Sequence, residues 1–179
     1  MRPVRFWEGK RVYLRPLELE DLERLVRWFT NPEVTQYLLG PRWPLNRLRE
    51  EEWLRNLYRS NRDLVFALCL RENDRHIGNC GLHRISWIDR FAELGIAIGE
   101  PEYWGKGYGT EAAGLLLDYA FRVLNLNRVE LHVFATNERA IRSYRKLGFQ
   151  EEGRLRKRRY VRGTYVDEIV MSVLREEWG

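Results

Sequence analysis

The sequence predicts an α+β fold: a mixed, mostly antiparallel central sheet of about seven strands, flanked by about four helices, with one βαβ crossover. Three observations lead there. Residues 64–70, 76–85 and 91–98 are apolar-rich runs joined by short connections, which makes them an antiparallel meander. A glycine-rich segment then opens a helix, and the strand after it can be reached only across that helix, so the pair is parallel. The chain closes with two more strand-like runs, 150–161 and 165–174, turning at Arg162-Gly163.

Taken in order, residues 11–15 read as a first strand, ended by Pro16. Leu19, Leu22, Leu25, Val26 and Phe29 recur at helical spacing, and Asn31-Pro32 closes that helix. A loop with Gly40-Pro41 and Pro44 leads to Asn46, the N-cap of a helix to about Ser60. The meander turns at Glu72-Asn73-Asp74 and at Trp87-Ile88-Asp89-Arg90. Beyond the glycines, Ala112, Ala113, Leu116, Leu117, Ala120, Phe121 and Leu124 make an apolar helical stripe. Strand 129–134 follows, then Asn137 as N-cap of a helix to Leu147, which Gly148 stops in a left-handed cap. No repeat, low-complexity tract or linker interrupts the chain, so one domain over 1–179 is expected.

Composition narrows the classes. A chain of 179 residues that is 44% hydrophobic and 13% aromatic can bury a core, which argues against disorder. No apolar run reaches membrane-span length, and the N-terminus lacks a signal-peptide pattern, so no membrane partner and a cytoplasmic location are expected. Cys69 and Cys80 fall on separate predicted strands and read as reduced core thiols. His76, His83 and His132 show no ligand spacing, so no metal is expected. The net charge of +5 is concentrated in Arg154-Leu155-Arg156-Lys157-Arg158-Arg159. That run fits a solvated strand, or a surface for a phosphorylated cofactor, an acidic substrate or RNA.

Gly105, Gly107 and Gly109 alternate just before a helix. Glycines permit positive φ and close backbone approach, and a helix N-terminus offers unpaired N–H groups and a positive dipole end to a pyrophosphate. A dinucleotide loop nearly fits, with Glu130 about where its ribose-binding acid belongs, but Thr110 replaces the third glycine and no second βαβ unit follows. The P-loop pattern fails for want of Gly-Lys-Ser/Thr. A second element decides between them. Ala140, Tyr144 and Leu147 fall on one helix face, with Asn137 two turns before Tyr144 on the same side.

Together these segments resemble the GNAT acetyltransferase superfamily. Its Gln/Arg-x-x-Gly-x-Gly/Ala loop maps onto Trp104 to Gly109, and its Asn-x-x-Ala-x-x-x-Tyr-x-Lys-x-Gly-Phe pattern matches Asn137 through Phe149. Trp104 departs from the usual Gln or Arg. The order of elements agrees over nearly the whole chain, and the phrasing of residues 103–108 and 147–153 is similar to the RimJ/RimL branch. The resemblance implies the GNAT fold, acetyl-CoA as co-substrate without a metal, and direct attack of an amine on the thioester in a ternary complex. It places Ile96, Ala97 and Ile98 along the pantetheine and acetyl group, and Trp104, Gly105, Lys106, Gly107, Tyr108, Gly109 and Thr110 around the pyrophosphate. It adds Asn137, Arg142 and Lys146 to the cofactor site and makes Tyr144 the general acid to sulfur.

Glu93 alternates with Leu94, faces away from it, and is the candidate base through water, with a solvent-facing acid as the alternative. The acceptor expected is a protein N-terminus or a small amine. Where polyamine acetyltransferases carry acids, this chain reads Leu39-Gly40-Pro41-Arg42-Trp43-Pro44 and Gly81-Leu82-His83-Arg84. A polyamine or aminoglycoside is the alternative acceptor, and a non-catalytic acyl-CoA- or RNA-binding module the alternative class. A nucleic-acid partner is not expected, and either a monomer or a homodimer is compatible with the sequence.

Overall fold

In the computed structural model, which describes residues 2–40 and 42–179, the chain forms one eight-stranded sheet. Met1, and Pro41 of the predicted loop, lie outside the described residues. The strands are β1 (Trp7–Glu8), β2 (Val12–Pro16), β3 (Leu64–Leu70), β4 (His76–Ser86), β5 (Phe91–Ile98), β6 (Arg128–Phe134), β7 (Gln150–Val161) and β8 (Thr164–Leu174). They lie in the order β1-β2-β3-β4-β5-β6-β8-β7, every pair antiparallel except β5–β6. The strand that the sequence did not announce is β1, whose two residues pair with Leu14 and Tyr13 and are too few to show a period. At the far edge, Arg162 (φ 46°) and Gly163 (φ 86°) make the positive-φ turn that a two-residue hairpin requires.

The α-helices are α1 (Leu22–Phe29), α2 (Pro32–Thr35), α3 (Arg47–Arg59), α4 (Tyr108–Asp118) and α5 (Glu138–Lys146), with α4 running on into a π-turn at Tyr119–Val123. The single turn α2 corrects the expected boundary. Asn31-Pro32 starts a helix as well as ending one, because the Asn31 side chain accepts the Glu33 N–H and Pro32 sits at the first helical position. Among the described residues no helix is long and apolar enough to cross a membrane.

Strand alternation sorts the core into two layers. Val12, Leu14, Phe66, Leu68, Leu82, Leu94, Leu131 and Met171 face α4 and α5, where Ala112, Leu116, Phe121, Ile141 and Phe149 meet them. Tyr13, Val65, Ala67 and Cys69 face the other way, under Leu22, Leu25, Trp28, Val34, Leu54 and Leu57 of α1 to α3. Those helices cover only the β2–β3 half of their face. Across β4, β5, β6 and β8 the same face carries Asn79, His83, Glu93, Glu130, His132 and Glu168. Both cysteines are buried with unpaired sulfurs.

Asp21 fastens the helical layer to the sheet. Its carboxylate, 3% exposed, accepts two bonds from Arg15 (2.8 and 2.9 Å) and one from the Glu18 N–H (2.9 Å), with His76 Nδ1 at 3.3 Å. Burial alone would raise its pKa, but the bonds from Arg15, His76 and the Glu18 N–H outweigh that and hold it well below the ordinary 3.8. A depressed folded-state pKa gives stabilisation that is complete above the unfolded-state value and lost as pH falls through the folded one. Asp21→Asn is expected to cost about 3 kcal/mol at neutral pH. In urea titrations the gap to wild type should narrow as pH falls below 3.8.

Candidate active site

Strands β5 and β6 pair over Phe91–Arg128, Ala92–Val129 and Glu93–Glu130, and then diverge. They part where two carboxylates face each other, with Arg84 lying 2.7 Å from Glu93 and 3.7 Å from Glu130. Beyond this point β5 pairs only with β4, and β6 only with β8. The inner edges therefore present unpaired backbone groups to a wedge, which a ligand or water must satisfy. A cleft of about 890 Å³ opens there, running from the glycine loop and α5 to the α1–α3 side of the sheet.

The loop is shaped as its sequence demands. Gly105 (φ 70°) and Gly107 (φ 84°) occupy the left-handed region, and Gly107 is the N-cap of α4. Gly109 lies in the first turn, and nothing stands within 4 Å of where its Cβ would be, so the side it bares is open. The N–H groups of Tyr108, Gly109 and Thr110 belong to the unpaired first turn of the helix. Glu111 pins this turn to β2, accepting the Arg11 N–H (2.8 Å) and the Arg11 guanidinium (3.1 Å). Trp104 closes the loop by donating its indole N–H to the Ile98 carbonyl (2.9 Å). That carbonyl is therefore occupied, leaving Leu94 to Ala97 as the free stretch of β5.

On α5, Asn137 caps the helix through its side-chain oxygen (3.4 Å to the Ala140 N–H) and lines the cleft. The Tyr144 ring packs edge-on to Phe149 with centroids 5.6 Å apart. Its hydroxyl bonds to none of the described residues, and burial pushes its pKa up to about 12. Ile96, Ala97, Ile98, Trp104, Gly105, Tyr108, Thr110, Arg142 and Lys146 also line the cleft. Lys106 is the expected residue that does not: its carbonyl accepts from Arg11, and its ammonium lies 5.7 Å from the Tyr103 ring centroid. Glu93 lines the cleft but is already engaged by Arg84.

Several lining residues were not anticipated. Arg139 stands over the Trp104 ring at 5.8 Å, and with Arg142 and Lys146 it makes an i, i+3, i+7 basic row facing the loop. That spacing was readable in the sequence. Glu33, Glu50, Asn79, His83 and His132 also line the cleft, and no local pattern marks them. Glu93, Glu130 and His132 lie within 4.8 Å of one another, yet Arg84 and Arg128 (2.8 Å from Glu130) already balance the carboxylates.

A family model of the acetyltransferase (GNAT) domain matches residues 11–150. An uncharacterised N-acetyltransferase of Bacillus licheniformis is 34% identical over 171 residues, covering 94% of this chain and 96% of the relative. The spermidine N(1)-acetyltransferase of Escherichia coli (strain K12) is 35% identical over 167 residues, covering 93% of this chain and 88% of the relative. Among solved structures, spermidine N-acetyltransferase from Vibrio cholerae in complex with CoA and spermine aligns with a TM-score of 0.88 at 30% identity, over 94% of this chain and 98% of that one.

The basic row on α5 makes a direct prediction about a phosphorylated ligand. Arg139→Ala is expected to weaken CoA binding about fivefold, a loss of roughly 1 kcal/mol that shrinks as salt is added. Calorimetric titration at two ionic strengths reads both effects.

Proposed function

The chain belongs to the GNAT acetyltransferase family and is an N-acetyltransferase; from that premise we propose that acetyl-CoA is its donor and an aliphatic di- or polyamine its acceptor. Glu50 is the observation that supports the acceptor. It lines the cleft on α3, is 5% exposed, and its carboxylate bonds to no described residue; burial alone raises its pKa. Its oxygens open only onto the cleft, where an ammonium group from a ligand would pair with them in a charge-assisted hydrogen bond. The basic residues Arg139, Arg142 and Lys146 line the cleft from α5, while α2 and α3 bring Glu33 and Glu50, with Arg49, to it.

This reverses the preference drawn from the sequence. Part of the positive charge that argued against a polycation is engaged: Arg84 binds Glu93, and Arg42 donates to the Tyr160 carbonyl. In the basic strand Arg154 binds Asp167 (2.6 Å) and Arg159 binds Glu168. The similarity to spermidine acetyltransferases over more than nine-tenths of the chain supports the same acceptor class. An α-amine of a protein, as in the RimJ/RimL branch, is the second reading, favoured by exposed Arg49 beside Glu50. A cytoplasmic location is part of the proposal, because the donor is an intracellular metabolite.

In the proposed reaction the amine attacks the thioester carbonyl directly, and Tyr144 protonates the departing thiolate. A phenol held near 12 stays protonated at every pH at which the enzyme would work, and its free hydroxyl can turn to sulfur. Tyr144→Phe keeps the ring against Phe149, so we expect kcat to fall about 100-fold with acetyl-CoA affinity unchanged. Unchanged turnover at saturation would remove Tyr144 from the chemistry.

Thiol release from acetyl-CoA with diamines, polyamines, aminoglycosides and peptide N-termini tests the acceptor. Turnover confined to peptides would overturn the polyamine reading. Glu50→Gln should raise the polyamine KM about 10- to 100-fold, by loss of a charged hydrogen bond. Because ionising Glu50 opposes folding when its folded pKa is raised, the free wild-type protein should lose thermal stability relative to the same variant as pH rises above the ordinary carboxyl value of 4.5.

A further inference from the structure

We propose that His132, oriented by Glu168, is the base that takes the proton from the acceptor ammonium; the proposal rests on the acetyl-transfer reading above. His132 sits on β6 two residues beyond Glu130, where β5 and β6 have parted, and lines the cleft. Its Nδ1 lies 2.5 Å from Glu168 Oε1. Glu168 is 1% exposed, and its second oxygen accepts from the Arg159 guanidinium. Burial alone would raise the Glu168 pKa, but Arg159 and His132 outweigh it and hold the carboxyl below its ordinary range.

An ionised carboxylate only accepts hydrogen bonds, so the proton of neutral His132 is on Nδ1 and the lone pair on Nε2. Nε2 bonds to none of the described residues, and the ring is part of the cleft wall. A base oriented by a buried carboxylate through its other ring nitrogen is the arrangement that makes imidazole effective in proton transfer.

The competing groups on this face are each less suited. Glu93 on β5 is held by Arg84 at 2.7 Å, and Glu130 on β6 by Arg128 at 2.8 Å. His83 on β4 pairs with Asp63 at 3.2 Å, but both side chains are more than a third exposed, so water competes for the contact. From the helical side Glu33, Arg49 and Glu50 reach the cleft, and Tyr144 faces it from α5.

The protons balance as follows. His132 Nε2 takes one from R–NH3+, and the freed amine attacks the carbonyl, so that the C–N bond forms and the C–S bond breaks. Tyr144 gives its proton to the thiolate and regains one from the new amide nitrogen. The proton on His132 leaves to water, and the net products are the N-acetyl amine, CoA thiol and one proton.

The test uses the full chain, acetyl-CoA and spermidine, or whichever amine the panel identifies, with thiol release followed from pH 6 to 10. His132→Gln should lower kcat/KM about 100-fold at neutral pH and abolish the acid-side limb of the profile. Calorimetric acetyl-CoA binding should match wild type, which also reports that the variant is folded. Glu168→Gln, which leaves the imidazole in place, should give a smaller loss and shift the limb, and serves as the test if His132→Gln does not fold. Both His83→Gln and Glu93→Gln should keep the limb.

A wild-type profile in His132→Gln, or loss of the limb in either control instead, overturns the assignment to His132. Wild-type protein that binds acetyl-CoA yet acetylates no amine overturns the acetyl-transfer reading, and this proposal with it.

Discussion

Strands β5 and β6 share a ladder of three residue pairs, and everything at the site follows from where that ladder stops. A continuous parallel pair would satisfy its own backbone and leave no entry. Parting after Glu93 and Glu130 leaves two edges of N–H and C=O groups facing each other across a gap, with a cost that a ligand can recover. Arg84 sits in the fork and compensates the facing carboxylates. The crossover helix α4 carries its open first turn to the mouth of the wedge, and Glu111 and Trp104 fasten that turn to β2 and β5.

The two faces of the sheet serve different ends. One is apolar across its whole width and holds α4 and α5, so the glycine loop and Tyr144 stand on a packed base. The other is apolar only under α1 to α3, and polar from β4 to β8. Asp21 ties the entry of α1 to the sheet, and the part of the face that α1 to α3 leave uncovered is the floor of the cleft. Arg139, Arg142 and Lys146 of α5 line the cleft together with Glu33 of α2 and Arg49 and Glu50 of α3, so its wall carries both signs of charge.

Much of this was legible before any coordinates. Strands 64–70 and 91–98, the caps at Asn46 and Asn137, and the left-handed Gly148 (φ 98°) fall where local pattern put them, because each depends on near neighbours in the chain. Strand β1 and helix α2 were missed, since two strand residues or one helical turn carry no periodicity and form only through tertiary pairing. The Lys106 side chain turns toward the Tyr103 ring and not into the cleft, a direction that adjacency to glycines does not set. Conversely, Arg139 was under-read, although its spacing with Arg142 and Lys146 was available.

The acceptor end shows the limit most clearly. From the sequence, Arg42, Arg84 and the strand 154–159 were unpaired positive charge, and polycations looked disfavoured. In the fold Arg84, Arg154 and Arg159 meet carboxylates on neighbouring strands, and Glu50, unremarkable in a charged helix, is turned toward the cleft with no side-chain partner among the described residues. The sequence by itself determined the sheet class, the crossover, the glycine loop and the helix pairing Asn137 with Tyr144, because backbone geometry and helical period are short-range properties. Only the tertiary structure decided which charges are cancelled and which remain available, because electrostatic pairing is set by distance in space and by burial, and neither is written in the order of residues.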